Sequence, residues 1–206
     1  MTATYPVTFD VDYPARPLNR LTTAFRIFVA IPILIIIGLL PTESLHTSDK
    51  SQMYQTAAGG GLVFLSLVLM LVFRQKYPRW WFDWNLNFLR FSYRVAAFVF
   101  LLDDRYPSTD EEQSVHLDFP YPDALQLNRW LPLVKWLLAI PHYIVLFFLV
   151  IGAIVVAIIA WFAILFTGTY PRGLFAFVVG VFRWSNRVTG YAFALVTDRY
   201  PPFSLS

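Results

Sequence analysis

The sequence contains no cysteine and little charge. Of 206 residues, 14% are charged, 57% hydrophobic and 18% aromatic. Without cysteine there is no disulfide framework, thiolate metal site, thiol nucleophile or cysteine-linked lipid. Soluble domains carry about 25% charged and about 45–50% apolar residues. The balance therefore argues against a soluble enzyme or a disordered chain and predicts a membrane protein. No basic segment leads into a short apolar core ending at small residues, so no cleavable signal peptide is expected. Insertion is expected to use the first hydrophobic helix.

Catalytic and metal-binding patterns are also missing. There is no His-x-x-x-His, no Glu-x-x-His and no carboxylate pair within an apolar run, so no metal and no cofactor are expected. Gly59-Gly60-Gly61 lacks the Lys-Ser/Thr of a phosphate loop and suits close helix packing. His46 and His116 lie in polar segments and are expected at the surface. His142 stands beside Pro141 in an apolar run, either packed there or serving as a ligand or proton relay. The apolar runs offer a solute little beyond Ser66, His142 and Tyr143. No catalytic residues emerge, and the chain is expected not to be an enzyme.

What is present is repetition. Leu18-Asn19-Arg20 recurs as Leu127-Asn128-Arg129, and Ala30-Ile31-Pro32 as Ala139-Ile140-Pro141, both 109 residues on. Tyr77-Pro78-Arg79 recurs as Tyr170-Pro171-Arg172, 93 residues on, with Arg90 matching Arg183 and Arg94-Val95 matching Arg187-Val188. Asp104-Arg105-Tyr106-Pro107 returns as Asp198-Arg199-Tyr200-Pro201. Collinear matches in this order predict a tandem duplication. Residues 1–110 form one membrane repeat and 111–206 the other, in one compact membrane domain. The change of spacing assigns 16 extra residues, Pro41–Thr56, to the first copy.

Each copy opens on an alternating segment, Val7–Val11 or Val115–Phe119, that predicts a short strand, and the two are able to pair. Apolar helices are expected over Arg20–Leu40 and Ala57–Phe73, then over Leu131–Val150 and Ala153–Thr167. Pro32 and Pro141 are expected to kink the first of each pair. Pro132–Phe166 as one straight helix would reach about 50 Å against a hydrocarbon core of about 30 Å. A turn near Val150–Ala153 is therefore expected, with one long kinked helix as the alternative. The Asp-Arg-Tyr-Pro motif is expected to form a helix-ending turn.

The last piece of each copy is amphipathic. Asp83, Asn87, Arg90 and Arg94 form one helical stripe, with Trp84, Phe88, Phe91 and Val95 opposite. Arg183 and Arg187 repeat its basic end. Arginines are costly at mid-bilayer, so an interfacial helix is favoured over a spanning one. Trp80, Trp81, Trp84 and Trp184 are expected at headgroup level. Arg90, Arg94, Arg183 and Arg187 are the candidate residues for lipid headgroups or an acidic partner surface; simple membrane anchoring is the plainer alternative.

Charge is unevenly spread. Residues 103–129 hold seven acids against two arginines, while the whole chain is +3. Basic residues beside apolar helices suit anionic headgroups better than nucleic acid. Arg16, Arg20, Arg26, Arg74, Lys76 and Arg79 flank the first two helices, whereas loop 41–56 has only Lys50. The positive-inside rule then puts both termini in the cytoplasm and that loop outside. Parallel copies with four spans are favoured over inverted copies with six.

The Leu-Asn-Arg and Ala-Ile-Pro motifs resemble a bacterial membrane family known as domain of unknown function 4389. So do Tyr170–Phe175, Arg183–Val188 and Thr197–Leu205. Copy one departs from the pattern, with Trp80-Trp81-Phe82-Asp83 in place of Gly173-Leu174-Phe175-Ala176. The resemblance implies a membrane protein and supplies no activity. The expected fold class is an all-α integral membrane protein. It is a tandem repeat of a helical hairpin plus an amphipathic interfacial helix, with short strand-like segments before each repeat. The expected role is a non-enzymatic accessory or scaffold protein of the bacterial inner membrane, bound to membrane lipids, to another membrane complex or to itself. An oligomeric transporter of lipid or small solutes is the alternative.

Overall fold

The computed structural model describes residues 5–39, 65–109 and 111–206. The chain is mostly helical, with one small sheet. Strand β1 (Thr8–Val11) pairs antiparallel with β2 (Val115–Asp118), placing Phe9 opposite Leu117. Alternation sets the two faces. Phe9, Val11, Val115 and Leu117 are buried, while Thr8, Asp10, His116 and Asp118 are exposed.

Helix α1 (Arg20–Ala24) starts at Asn19, whose side chain accepts from the amides of Leu21 and Thr22, an ordinary N-cap. The chain breaks at Phe25 and resumes as α2 (Arg26–Leu39), with Pro32 inside it. Helix α3 (Leu65–Arg74) ends in a wide turn. Loop 41–56, His46, Gly59-Gly60-Gly61 and the start of the Ala57–Phe73 segment lie outside the described residues.

Helices α4 (Arg79–Val99) and α7 (Arg172–Ala192) are each 21 residues long and each follow a Tyr-Pro pair. Proline fits there because its fixed φ and missing N–H suit a helix start. Beyond each helix the chain turns through a leucine at positive φ, Leu101 at 65° and Leu195 at 54°. Helix α4 packs on β2 and α7 on β1. A tight turn at Leu131–Leu133 and the short α5 (Lys135–Leu138) lead into α6 (Ile140–Thr167). His142 meets Trp184 near one end of α6 and Gly152 lies over the Phe177 ring farther along, so α6 runs antiparallel to α7.

Three expectations are corrected here. The turn near Val150–Ala153 is absent: α6 is continuous over 28 residues, about 42 Å. Nothing there ends a helix. A lone glycine costs about 1 kcal/mol in a helix, and at Gly152 the Phe177 ring stands 3.5 Å from where a Cβ would be, an ordinary contact. Pro141 sits in the first turn of α6 rather than inside it, so it breaks no internal hydrogen bond. Among the described residues α6 is the one helix long and apolar enough to cross a membrane; Arg26–Ile35 and Leu65–Arg74 are shorter. The third concerns α7, expected to be amphipathic with an open polar face: thirteen of its 21 residues are buried, so it packs as a central helix of the molecule.

Candidate functional site

Two buried ion pairs fix the helix starts. Arg26 reaches Asp104 at 2.5 Å and donates to the Asp103 carbonyl. Lys135 reaches Asp198 at 2.7 Å and donates to the Thr197 carbonyl. The second oxygen of Asp104 accepts from the Asn19 amide, and that of Asp198 from the Asn128 amide. The two arrangements use corresponding positions, since Lys135 follows Arg26 at the 109-residue spacing of the Leu-Asn-Arg motifs. That spacing is the sequence signal for this pair of cations, which the charge pattern alone does not single out. The Asp-Arg-Tyr-Pro segments thus supply acceptors for buried cations.

Contacts between the N-terminal and C-terminal portions are reciprocal. Tyr13 donates its hydroxyl to the Tyr170 carbonyl, and Tyr121 to the Tyr77 carbonyl. The Arg172 guanidinium lies 5.2 Å from the Tyr13 ring centre, and that of Arg79 lies 5.5 Å from the Tyr121 ring. Arg183 Nε donates to the Phe9 carbonyl at 2.9 Å, and Arg90 Nε to the Leu117 carbonyl at 2.9 Å. Their outer nitrogens pair with Asp10 at 3.0 Å and Asp118 at 3.3 Å. Helices α4 and α7 are each pinned by one arginine to a strand of the other portion's terminal segment.

One turn further along each helix stands the second arginine. Arg94 donates to the Ser108 and Thr109 carbonyls. Arg187 donates to the carbonyls of Ser204 at 3.3 Å and Ser206 at 2.5 Å, and its guanidinium lies 5.9 Å from the Tyr5 ring centre. Arg187 is 9% exposed. Burial, and then the neighbouring charge of Arg183, pull its pKa below the ordinary arginine value. All four arginines line a single open cavity of about 600 Å³ that also meets Tyr5, Glu112, Gln113, Ser206 and the two strands.

The tryptophans are placed differently. Trp81 and Trp84 stack 5.7 Å apart, and Trp84 stacks on Phe88 at 5.3 Å. Trp80 and Trp84 are exposed, so the start of α4 carries an aromatic ridge apart from the cavity. Trp184 departs from the expected headgroup position. It is buried, and its indole N–H donates to His142 Nδ1 at 3.0 Å. Phe203 stacks on His142 at 4.0 Å. Adjacency to Arg183 in sequence misleads here, because neighbouring helical residues point about 100° apart. His116 is exposed and pairs with Asp12.

Asp103, which lines a second cavity with Asp12, Arg16 and Ser114, is shaped by opposing influences. Burial raises its pKa, but hydrogen bonds from Ser114 and Arg105 and the charge of Arg105 outweigh that and hold it below the ordinary carboxylate value. Among the described residues no group of three or more His, Asp or Glu is placed to hold a metal. The chemistry offered is recognition of an anion by guanidinium groups.

Residues 130–204 match the family described as Domain of unknown function (DUF4389). The DUF4389 region takes in Lys135, α6, α7, Arg183, Arg187 and Asp198, and leaves Arg90 and Arg94 outside. No curated protein and no solved structure matches the chain.

Proposed function

We propose that this is a non-enzymatic accessory protein of the bacterial inner membrane, a tandem duplication seated in lipid and associated with anionic headgroups. One observation carries the reading. Ile144, Phe147, Phe148, Ile151, Ile154, Val155, Ile158, Ile159, Phe162 and Phe166 of α6 are all exposed. Only 17% of the most apolar stretch of α6 is buried. The core helix of a soluble domain hides such residues, and an open apolar patch beyond a few hundred Å² marks a lipid or protein contact. Helix α2 adds Ile27, Phe28, Ile31, Leu34 and Ile35 to the apolar surface.

Duplication is supported by the paired contacts: two buried ion pairs, two tyrosine–carbonyl bonds and two arginine–strand clamps at matching positions. Multiple passes, with the N-terminus in the cytoplasm, rest on the basic residues flanking the apolar helices; as one continuous helix, α6 crosses once where the second copy's hairpin would cross twice. Trp80, Trp81 and Trp84 suit the headgroup level. Trp184 has no place in that belt.

The test is extraction from native membranes. The chain should remain in the membrane through an alkaline carbonate wash, and the intact particle released by mild detergent should retain anionic phospholipid. Release by carbonate would contradict the membrane assignment. A particle free of lipid and of other proteins would contradict the accessory role.

A further inference from the structure

We infer that the four-arginine cavity is a phosphate site with two equivalent halves, Arg90 with Arg94 and Arg183 with Arg187, each taking one phosphate group. The inference rests on the membrane reading above only for the source of the phosphate; the site itself stands on its geometry.

Three observations carry it. First, the halves are built alike. Each presents two arginines one turn apart on one helix, with the first held by a strand carbonyl and the second beside the first. Phe9 and Leu117, whose carbonyls hold Arg183 and Arg90, sit directly opposite each other in the ladder. A two-fold relation therefore runs through the cavity.

Second, Arg187 is a buried cation with unused capacity. Its Nε has no hydrogen-bond partner among the described residues, and its two outer nitrogens donate to the Ser204 carbonyl and to an oxygen of Ser206, the last residue of the chain. A buried N–H left without an acceptor is costly, and the planar fork that carries it matches an oxyanion. Third, among the described residues the ion pairs at the two clamps are exposed ones. Asp10 is 69% and Asp118 is 71% exposed. Pairs this open contribute at most about 1 kcal/mol and yield to a stronger anion. Those carboxylates already occupy outer prongs, so an incoming group must bring more acceptor oxygens than another carboxylate does. A phosphate does so.

The test uses the full chain in neutral detergent, with binding counted by native mass spectrometry. The probes are short-chain phosphatidylglycerol, short-chain phosphatidylcholine, inorganic phosphate and inorganic pyrophosphate. Two phosphatidylglycerol molecules should bind per chain, and phosphatidylcholine should bind about tenfold more weakly or not at all. Arg187→Gln and Arg94→Gln should each remove one of the two, Arg187→Lys should keep part of the binding, and Arg105→Gln should change nothing. Thermal unfolding reports whether each variant is folded. Should a variant fail to fold, displacement from the wild-type chain decides: added phosphate or pyrophosphate should compete with the lipid at both sites. Displacement at micromolar pyrophosphate, with no lipid retained from membranes, assigns a soluble phosphate compound; lipid retained from membranes assigns the headgroup. One site instead of two, equal binding of phosphatidylcholine, or undiminished binding in folded variants would overturn the inference. A chain that stays in the membrane yet binds no phosphate would leave the membrane assignment standing and remove this one.

Discussion

At the residue scale, the buried ion pairs are the most sensitive points. Arg26 and Asp104 are 2% and 9% exposed, whereas Lys135 and Asp198 are 0% and 26% exposed. Removing one partner of a buried pair leaves an uncompensated charge and costs about 3–5 kcal/mol. Asp104→Asn should therefore unfold at lower temperature than wild type, and Asp198→Asn should lose less, because its pair reaches water. Trp184→Phe leaves His142 Nδ1 buried without its donor and should cost about 1–3 kcal/mol, read as a drop in midpoint. Asp103 gives a pH dependence. A folded-state pKa below the unfolded value contributes stability that is present above the unfolded pKa and lost as pH falls through the folded one. Acid unfolding should thus begin earlier for wild type than its neutral stability suggests, and Ser114→Ala should flatten that part of the profile. The four arginines were visible in the sequence as a repeated stripe, but their strand partners were not. Those partners lie on the other portion of the chain, 27 residues from Arg90 and 174 from Arg183.

At the element scale, period decides what can be read. The alternation of Val7–Val11 and Val115–Phe119 specifies two half-buried strands, and they pair. For α6 the sequence has no period at all, since nearly every position is apolar. Length and likeness to the first copy's two helices argue for a turn, and Pro132 through Phe166 in fact divides earlier, at Val134 and Ala139. Burial of α7 was equally hidden, because two arginines on one face look like a surface until their acceptors are known. Two glycines mark where elements meet. Gly168 caps α6 at φ 77°, so Gly168→Ala should cost about 1 kcal/mol. Gly190 faces Val7, and a Cβ there would stand 2.7 Å from Val7 Cγ2. Gly190→Ala gains about 1 kcal/mol of helix propensity but overpacks a buried contact at about 1–3 kcal/mol. A net loss is expected, measurable as a lower thermal midpoint with unchanged helicity.

At the scale of the whole molecule, composition and exposed surface point the same way. In a chain with 57% hydrophobic residues, Arg26, Lys135 and Arg187 are buried while the apolar side of α6 is left outside. The reciprocal tyrosine and arginine contacts tie the N-terminal segment to α7 and the middle segment to α4, so the two portions depend on each other and should unfold together. The central claim is that α6 lies in lipid. Because the chain has no cysteine, single cysteines report position without background. Ile144, Ile151, Ile158 and Phe166 are replaced one at a time, with Asp12 as a water-facing reference, and labelled in intact membranes with a water-soluble maleimide. The account predicts labelling at Asp12, protection at Ile151 and Ile158 regardless of membrane sidedness, and recovery of labelling there once the protein is unfolded in detergent. Equal labelling at Ile151, Ile158 and Asp12 in intact membranes would contradict it.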